Sequence, residues 1–148
     1  MIKNFVSVPL GKIKPILSAL NQNIDNLLSE KKFPCILFSG DLGAGKTTFI
    51  RKWMDSRDSG ELVNSPTFAL HNLYDLNDIP VHHFDLYRIK DISELFELGF
   101  DEIWGKEGIS LIEWWEIAES MLPKEGRLYL NIEHDTLETR NYTLETSA

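Results

Sequence analysis

The 148 residues carry 15 Lys and Arg against 23 Asp and Glu, a formal charge of −8, with 43% hydrophobic and 26% charged residues. That length suits one compact domain, and the composition excludes a disordered or low-complexity chain. The acidic balance, with no basic cluster, excludes a protein that grips nucleic acid unaided, because counterion release needs grouped Lys and Arg.

In chain order, Met1-Ile2-Lys3-Asn4 leads into a short apolar stretch that Pro9 and Gly11 interrupt. Neither a signal peptide nor a membrane span is expected there, and the expected location is cytoplasmic. Phe5 to Val8 alternate weakly, as in an edge strand. Ile13, Ile16, Leu17, Leu20, Ile24, Leu27 and Leu28 then recur at helical spacing. Pro34 to Ser39 form a continuously apolar run of the kind buried in a parallel sheet. Cys35, the only cysteine, lies in that run, so no internal disulfide can form and the thiol is read as packing.

From Lys46 a second helix carries Phe49, Ile50, Trp53 and Met54 on one face and closes over Asp55 to Gly60. Thr67 to Tyr74 and Val81 to Tyr87 read as strands joined by Asp75-Leu76-Asn77-Asp78, a hairpin. Asp91 or Ser93 caps a short helix with Leu95, Phe96 and Leu98 that Gly99 stops, and a further turn covers Asp101 to Trp104. Gly108 releases the strand Ile109 to Trp114, a short helix spans about Glu116 to Met121, and Leu128 to Ile132 and Tyr142 to Leu144 complete the strands. The expected fold is α/β in three layers, with a central, mostly parallel sheet and added antiparallel strands.

Between the first apolar strand and the second helix lies Gly40-Asp41-Leu42-Gly43-Ala44-Gly45-Lys46-Thr47, which fits G-x-x-x-x-G-K-[ST]. The glycines let the backbone wrap phosphate oxygens with its N–H groups inward, and a strand before and a helix after are the context the motif requires. Lys46 would bridge the outer phosphates, Thr47 would give its hydroxyl oxygen to Mg²⁺, Thr48 would add a hydrogen bond, and the helix N-terminus would favour the anion. Glu113 and Asp85 each end an apolar run, where open α/β sheets place ligands, and are the candidate metal-side carboxylates. His82 and His83 point to opposite strand faces, cannot share one ion and are read as ordinary strand histidines. Trp114 follows Glu113 and lies within reach of a nucleotide or a docking partner.

No N-K-x-D guanine reader and no D-x-x-G switch is present, which favours ATP over GTP, and the five arginines are scattered rather than grouped in a kinase lid. Beyond the glycine loop stand Ser65-Pro66-Thr67-Phe68, His83-Phe84-Asp85-Leu86-Tyr87-Arg88, Glu97-Leu98-Gly99 and Ile112-Glu113-Trp114. In this order and spacing the chain resembles the bacterial TsaE (YjeE) family, the ATPase of tRNA threonylcarbamoyladenosine biosynthesis, over nearly its whole length.

The resemblance implies a P-loop NTPase fold and a small ATPase that works with TsaD and TsaB on the adenosine beside the anticodon of tRNAs reading codons that begin with A. Hydrolysis would reset that complex. It implies that Gly40, Asp41, Gly43, Ala44, Gly45 and Lys46 hold the phosphates and that Thr47 and Glu113 hold Mg²⁺. Asp85 would position the attacking water or a metal-bound water. Ser65-Pro66-Thr67 would sense the γ-phosphate, and Arg140 would lie near the nucleotide. Two positions depart from the family pattern. Leu10-Gly11-Lys12-Ile13 lacks the threonine that approaches adenine, and Trp115 stands where proline is common. An acidic ATPase would leave tRNA to its protein partners, with Trp104 or Trp115 as anchors. No built-in arginine finger stands out, so slow hydrolysis stimulated by partners is expected, with Arg88 still a candidate. A nucleotide-dependent binding module and a small-molecule kinase are the competing readings.

Overall fold

The computed structural model describes residues 1–40, 45–57, 63 and 70–146. Their strands are β1 (Ile2–Pro9), β2 (Cys35–Ser39), β3 (His71–Leu76), β4 (Ile79–Asp85), β5 (Ile109–Glu113), β6 (Arg127–His134) and β7 (Thr139–Thr146). The helices are α1 (Lys14–Ser29), α2 (Lys46–Ser56) and α3 (Ile92–Glu97), with 3-10 turns at Leu10–Lys12, Phe100–Glu102 and Trp115–Met121.

One sheet takes the order β1-β7-β6-β2-β5-β4-β3. The β6, β2, β5 and β4 strands are mutually parallel, while β7, β1 and β3 add antiparallel edges. Parallel strands must be covered on both faces, which is why Cys35 to Phe38 and all of Ile109 to Glu113 are buried. One face packs α1 and α2 around Ile16, Leu20, Ile36, Phe49 and Trp53. The other packs Leu37, Phe84, Leu95, Phe100, Trp104 and Ile112. Three layers result, as the sequence led us to expect. The Cys35 thiol is 1% exposed, and burial pushes its pKa up to about 12, which fits a packing role.

Local chemistry sets the ends of the elements. Pro15 occupies the first turn of α1, where its missing N–H is no loss. Lys31 enters the left-handed region at φ 61° and Lys32 N–H closes on Leu27 O at 2.9 Å, ending the helix. Asp91 caps α3, its carboxylate accepting from Ser93 N–H. The hairpin is tighter than expected, since β3 runs to Leu76 and β4 starts at Ile79. Asn77 at φ 50° and Asp78 at φ 71° suffice because both residue types tolerate the positive φ that a two-residue turn needs. Strand β4 stops at Asp85 rather than Tyr87, because Asp85 Oδ1 accepts from Tyr87 N–H at 3.0 Å and turns the chain. Thr67, Phe68 and Ala69 of the expected Thr67 to Tyr74 strand lie outside the described residues, while His71 to Tyr74 fall within β3. The expected helix at Glu116 to Met121 is a 3-10 turn from Trp115.

Trp104 corrects an expectation. It is 1% exposed and packs edge-on against Phe84 at 5.4 Å, so it is core and offers no partner an anchor. The same cluster holds His71, stacked on Phe84 at 4.5 Å, with His71 Nε2 2.8 Å from His82 Nδ1. Burial, followed by the charges of His82 and His83, lowers the His71 pKa to about 4, and burial also lowers that of His82. A folded-state value below the unfolded 6.5 means the unfolded chain binds protons first as pH falls, so this contribution is complete above 6.5 and lost down to about 4. The urea midpoint is therefore expected to fall between pH 7 and pH 5 in proportion to this linkage, and His71→Phe is expected to flatten that slope.

Candidate functional site

The site is built at the carboxyl ends of β2, β5 and β4. Register places Phe38 beside Glu113 and Glu113 beside Asp85, so the end of β2 and the two carboxylates line one edge of the sheet. Strand alternation puts Asp85 and Glu113 on the face that carries α1 and α2, where α2 begins with Lys46.

Gly40 ends the β2 run at φ 133°, and a side chain there would collide with the backbone carbonyl of Ile132 on β6. Only glycine fits, for conformation and space alike. Gly45, at φ 103°, caps α2 and accepts from Phe49 N–H at 2.8 Å, with open space where a Cβ would stand. Lys46 reaches back so that Nζ donates to Gly40 O at 3.2 Å and sits 4.6 Å above the Trp114 ring. Trp114 adopts the left-handed conformation, φ 57°, and packs against Tyr87 with ring centroids 5.0 Å apart. A bulky residue held there marks a local constraint immediately after Glu113.

Lys46, Asp85 and Glu113 are 6%, 7% and 5% exposed. Charged side chains are almost never this buried unless they are paired or functional. Thr47 and Thr48 on α2 are half-buried. Thr48, Gly45, Leu10, Leu137, Glu138, Tyr142 and Arg140 line an adjoining cavity of about 430 Å³. Arg140 reaches it from β7, its Nη1 donating to Thr136 O and Thr139 O at 3.0 and 2.9 Å.

The structure thus brings together Gly40, Lys46, Asp85, Glu113 and Trp114, and sets Gly45, Thr48 and Arg140 around the neighbouring cavity. Asp41, Gly43, Ala44 and Thr67, with Ser65 and Pro66, lie outside the described residues. Trp115 is half-buried; its Nε1–H donates to Ser39 Oγ at 3.1 Å and its ring meets Tyr129 edge-on. It ties the turn after β5 to the end of β2.

One residue was passed over as an ordinary strand histidine. His83 is wholly buried on the same face as Asp85, and its Nε2 lies 2.7 Å from Glu113 Oε2. The signal was present in the alternation that separates His82 from His83, since that alternation also aligns His83 with Asp85.

Among the described residues no three His, Cys, Asp or Glu side chains converge as a metal cage. Mg²⁺ does not need one, because it is ordinarily held by one or two carboxylates together with substrate phosphates. The donor set here, a buried carboxylate beside a hydroxyl-bearing helix N-terminus, fits that hard cation. No helix among the described residues is long and apolar enough to cross a membrane.

Comparison with solved structures aligns all of this chain with 86% of YdiB from Bacillus subtilis, at a TM-score of 0.65 and 24% identity, which shows that the two share one mixed α/β fold. The chain is 41% identical over 90 residues to the tRNA threonylcarbamoyladenosine biosynthesis protein TsaE of Bacillus subtilis, covering 61% of this chain and 56% of that protein. It is 36% identical over 107 residues to the protein of the same name from Haemophilus influenzae, covering 72% and 67%. The matches therefore span about half to two-thirds of these relatives' length. Residues 15–142 match the family described as threonylcarbamoyl adenosine biosynthesis protein TsaE, and the chain belongs to that family.

Proposed function

We propose that this chain is an ATPase of tRNA threonylcarbamoyladenosine biosynthesis, binding ATP with Mg²⁺ and acting with TsaD- and TsaB-type proteins. Its target is the adenosine beside the anticodon in tRNAs that read codons beginning with A, and hydrolysis resets the assembly. The observation that carries this reading is the burial of Lys46, Asp85 and Glu113 together at the carboxyl ends of adjacent parallel strands, beside the first turn of α2. One cation against two carboxylates leaves this part of the site formally one charge negative, which suits a divalent cation escorting the triphosphate.

In this reading Gly40, Asp41, Gly43, Ala44, Gly45, Lys46, Thr47 and Thr48 cradle the phosphates, while Thr47 and Glu113 hold Mg²⁺. Asp85 orients the attacking water. Thr67 senses the γ-phosphate, and Trp114 and Arg140 flank the nucleotide. The bound metal supplies electrostatic stabilisation of the transferred phosphoryl group.

The arginines support slow hydrolysis by the isolated chain. Arg51 donates to Val63 O, Arg57 pairs with Asp25, and Arg127 is tied to Glu119, Leu122 and Pro123. None of these three is available as an arginine finger without breaking those bonds. Arg140 is likewise engaged, with Thr136 O and Thr139 O, so Arg88, the candidate named from the sequence, or a partner residue would supply that charge.

Phosphate release from Mg·ATP, measured with and without TsaB and TsaD, tests the reading. The expected result is slow turnover alone and strong stimulation by the partners, up to the range of about 10³ to 10⁵ that an arginine finger supplies. Glu113→Ala is expected to depress the rate in both settings. Partner-independent phosphorylation of a metabolite would indicate a kinase instead, and full tRNA modification by a variant that binds but does not cleave ATP would indicate a binding module.

A further inference from the structure

His83 has no exposed surface, and its Nε2 lies 2.7 Å from Glu113 Oε2, a short contact between two buried groups. An ionised carboxylate only accepts hydrogen bonds, so with Glu113 charged the ring carries its hydrogen on Nε2. Among the described residues the other ring nitrogen, Nδ1, is buried with no hydrogen-bond partner. The Glu113 carboxylate has no other hydrogen bond among the described residues, so His83 is what fixes it. A carboxylate's terminal torsion is otherwise broad. His82 cannot share the task, because it faces the opposite side of the sheet and engages His71.

We propose that His83 is a positioning residue for Glu113: its Nε2–H holds Oε2, fixes the rotation of the carboxylate and reserves Oε1 for the Mg²⁺ that accompanies ATP. The inference rests on the reading of Glu113 as the metal-side carboxylate. Groups that hydrogen-bond a metal-ligating carboxylate tune affinity strongly, and their loss typically weakens metal binding by about 10- to 100-fold.

The test compares the unmodified chain with His83→Gln, whose amide N–H can stand where Nε2–H stands, with His83→Asn, whose amide is too short to reach Glu113, and with His83→Leu. Binding of the non-hydrolysable analogue adenylyl imidodiphosphate is measured by calorimetry in EDTA and across a Mg²⁺ series, so the readout is metal-dependent affinity rather than turnover. The expected result is that Leu and Asn weaken the Mg²⁺-dependent gain by about tenfold or more and leave affinity in EDTA within about twofold, while Gln keeps most of the gain. Should Leu fail to fold, the Gln and Asn pair decides. Equal losses in EDTA and in Mg²⁺ would mean a packing role and would overturn the proposal, as would Gln behaving like Asn or no variant losing the gain. If the unmodified chain itself gains nothing from Mg²⁺, it is the metal reading of the site that fails, and the role of His83 falls with it.

Discussion

Alanine at Lys46 is expected to lower ATP affinity by about a hundredfold or more, while the chain without nucleotide remains folded. The ammonium is the only cation among the described buried groups of the site, and it is seated where β2 gives way to α2, on Gly40 O and over the Trp114 face. Those contacts are weak substitutes for phosphate oxygens. The ammonium bond to a neutral carbonyl is charge-assisted on one side only and the cation–π contact contributes about 1 kcal/mol, whereas a bond to a phosphate oxygen pairs two opposite charges. Exchange of Gly40 O for two phosphate oxygens therefore favours the bound state strongly. Removal of the amine forfeits that gain and leaves the triphosphate facing Asp85 and Glu113 without a protein cation between them. Unfolding of the chain without nucleotide is expected to shift by only about 1–2 kcal/mol, because the lost contacts are partly offset by no longer burying an ammonium. Calorimetric titration with Mg·ATP beside thermal unfolding separates the two effects. Since the group is buried, the affinity deficit is expected to persist in about 0.5 M salt, where a surface-charge effect would be screened.

The parts of this site that were legible in the sequence are those set by local chemistry. The apolar run Cys35 to Phe38, the glycines at 40 and 45 and the helical face of Phe49, Ile50, Trp53 and Met54 each announce one element, and they adjoin in the chain. Asp85 and Glu113 were legible for a similar reason, as acids that end apolar strands. What the sequence could not supply is register. The pairing of Asp85 with Glu113, which draws His83 to the same carboxylate, is a relation between strands 28 residues apart, and no local pattern encodes it. Exposure is equally non-local. Trp104 seemed free to meet a partner until Phe84, from β4, proved to enclose it together with Phe100 of the turn just before it. Arg140 needed β7 to pair with β6 before its cavity beside Gly45 and Thr48 could exist. The same tertiary dependence shortened the β4 strand, where Asp85 turns its carboxylate onto Tyr87 N–H and ends the run the β-rich sequence would have continued.

That last contact makes Asp85 the residue at which structure and chemistry must be separated by the choice of substitution. Asp85→Ala removes the acceptor for Tyr87 N–H together with the charge, so a loss of activity would have two causes. Asp85→Asn keeps a side-chain oxygen for Tyr87 and removes only the negative charge. If Asp85 orients the attacking water as a charged acceptor, Asn is expected to lower turnover by about 10²- to 10⁴-fold, the range for removal of a positioned base, with ATP affinity changed by no more than a few-fold. A role confined to the turn predicts the opposite pattern, with Asn near normal and Ala impaired in both stability and activity. A role in holding Mg²⁺ would instead reduce metal-dependent affinity along with rate, as expected for Glu113. Asp85 adjoins Glu113 across the register while Glu113 is held by His83, so the two carboxylates are not equivalent: one is fixed by a side chain of the neighbouring strand, the other by the backbone of its own turn. Single-turnover phosphate release, read beside equilibrium binding for Asp85→Asn and Glu113→Gln, assigns each carboxylate by whether rate or metal affinity falls first.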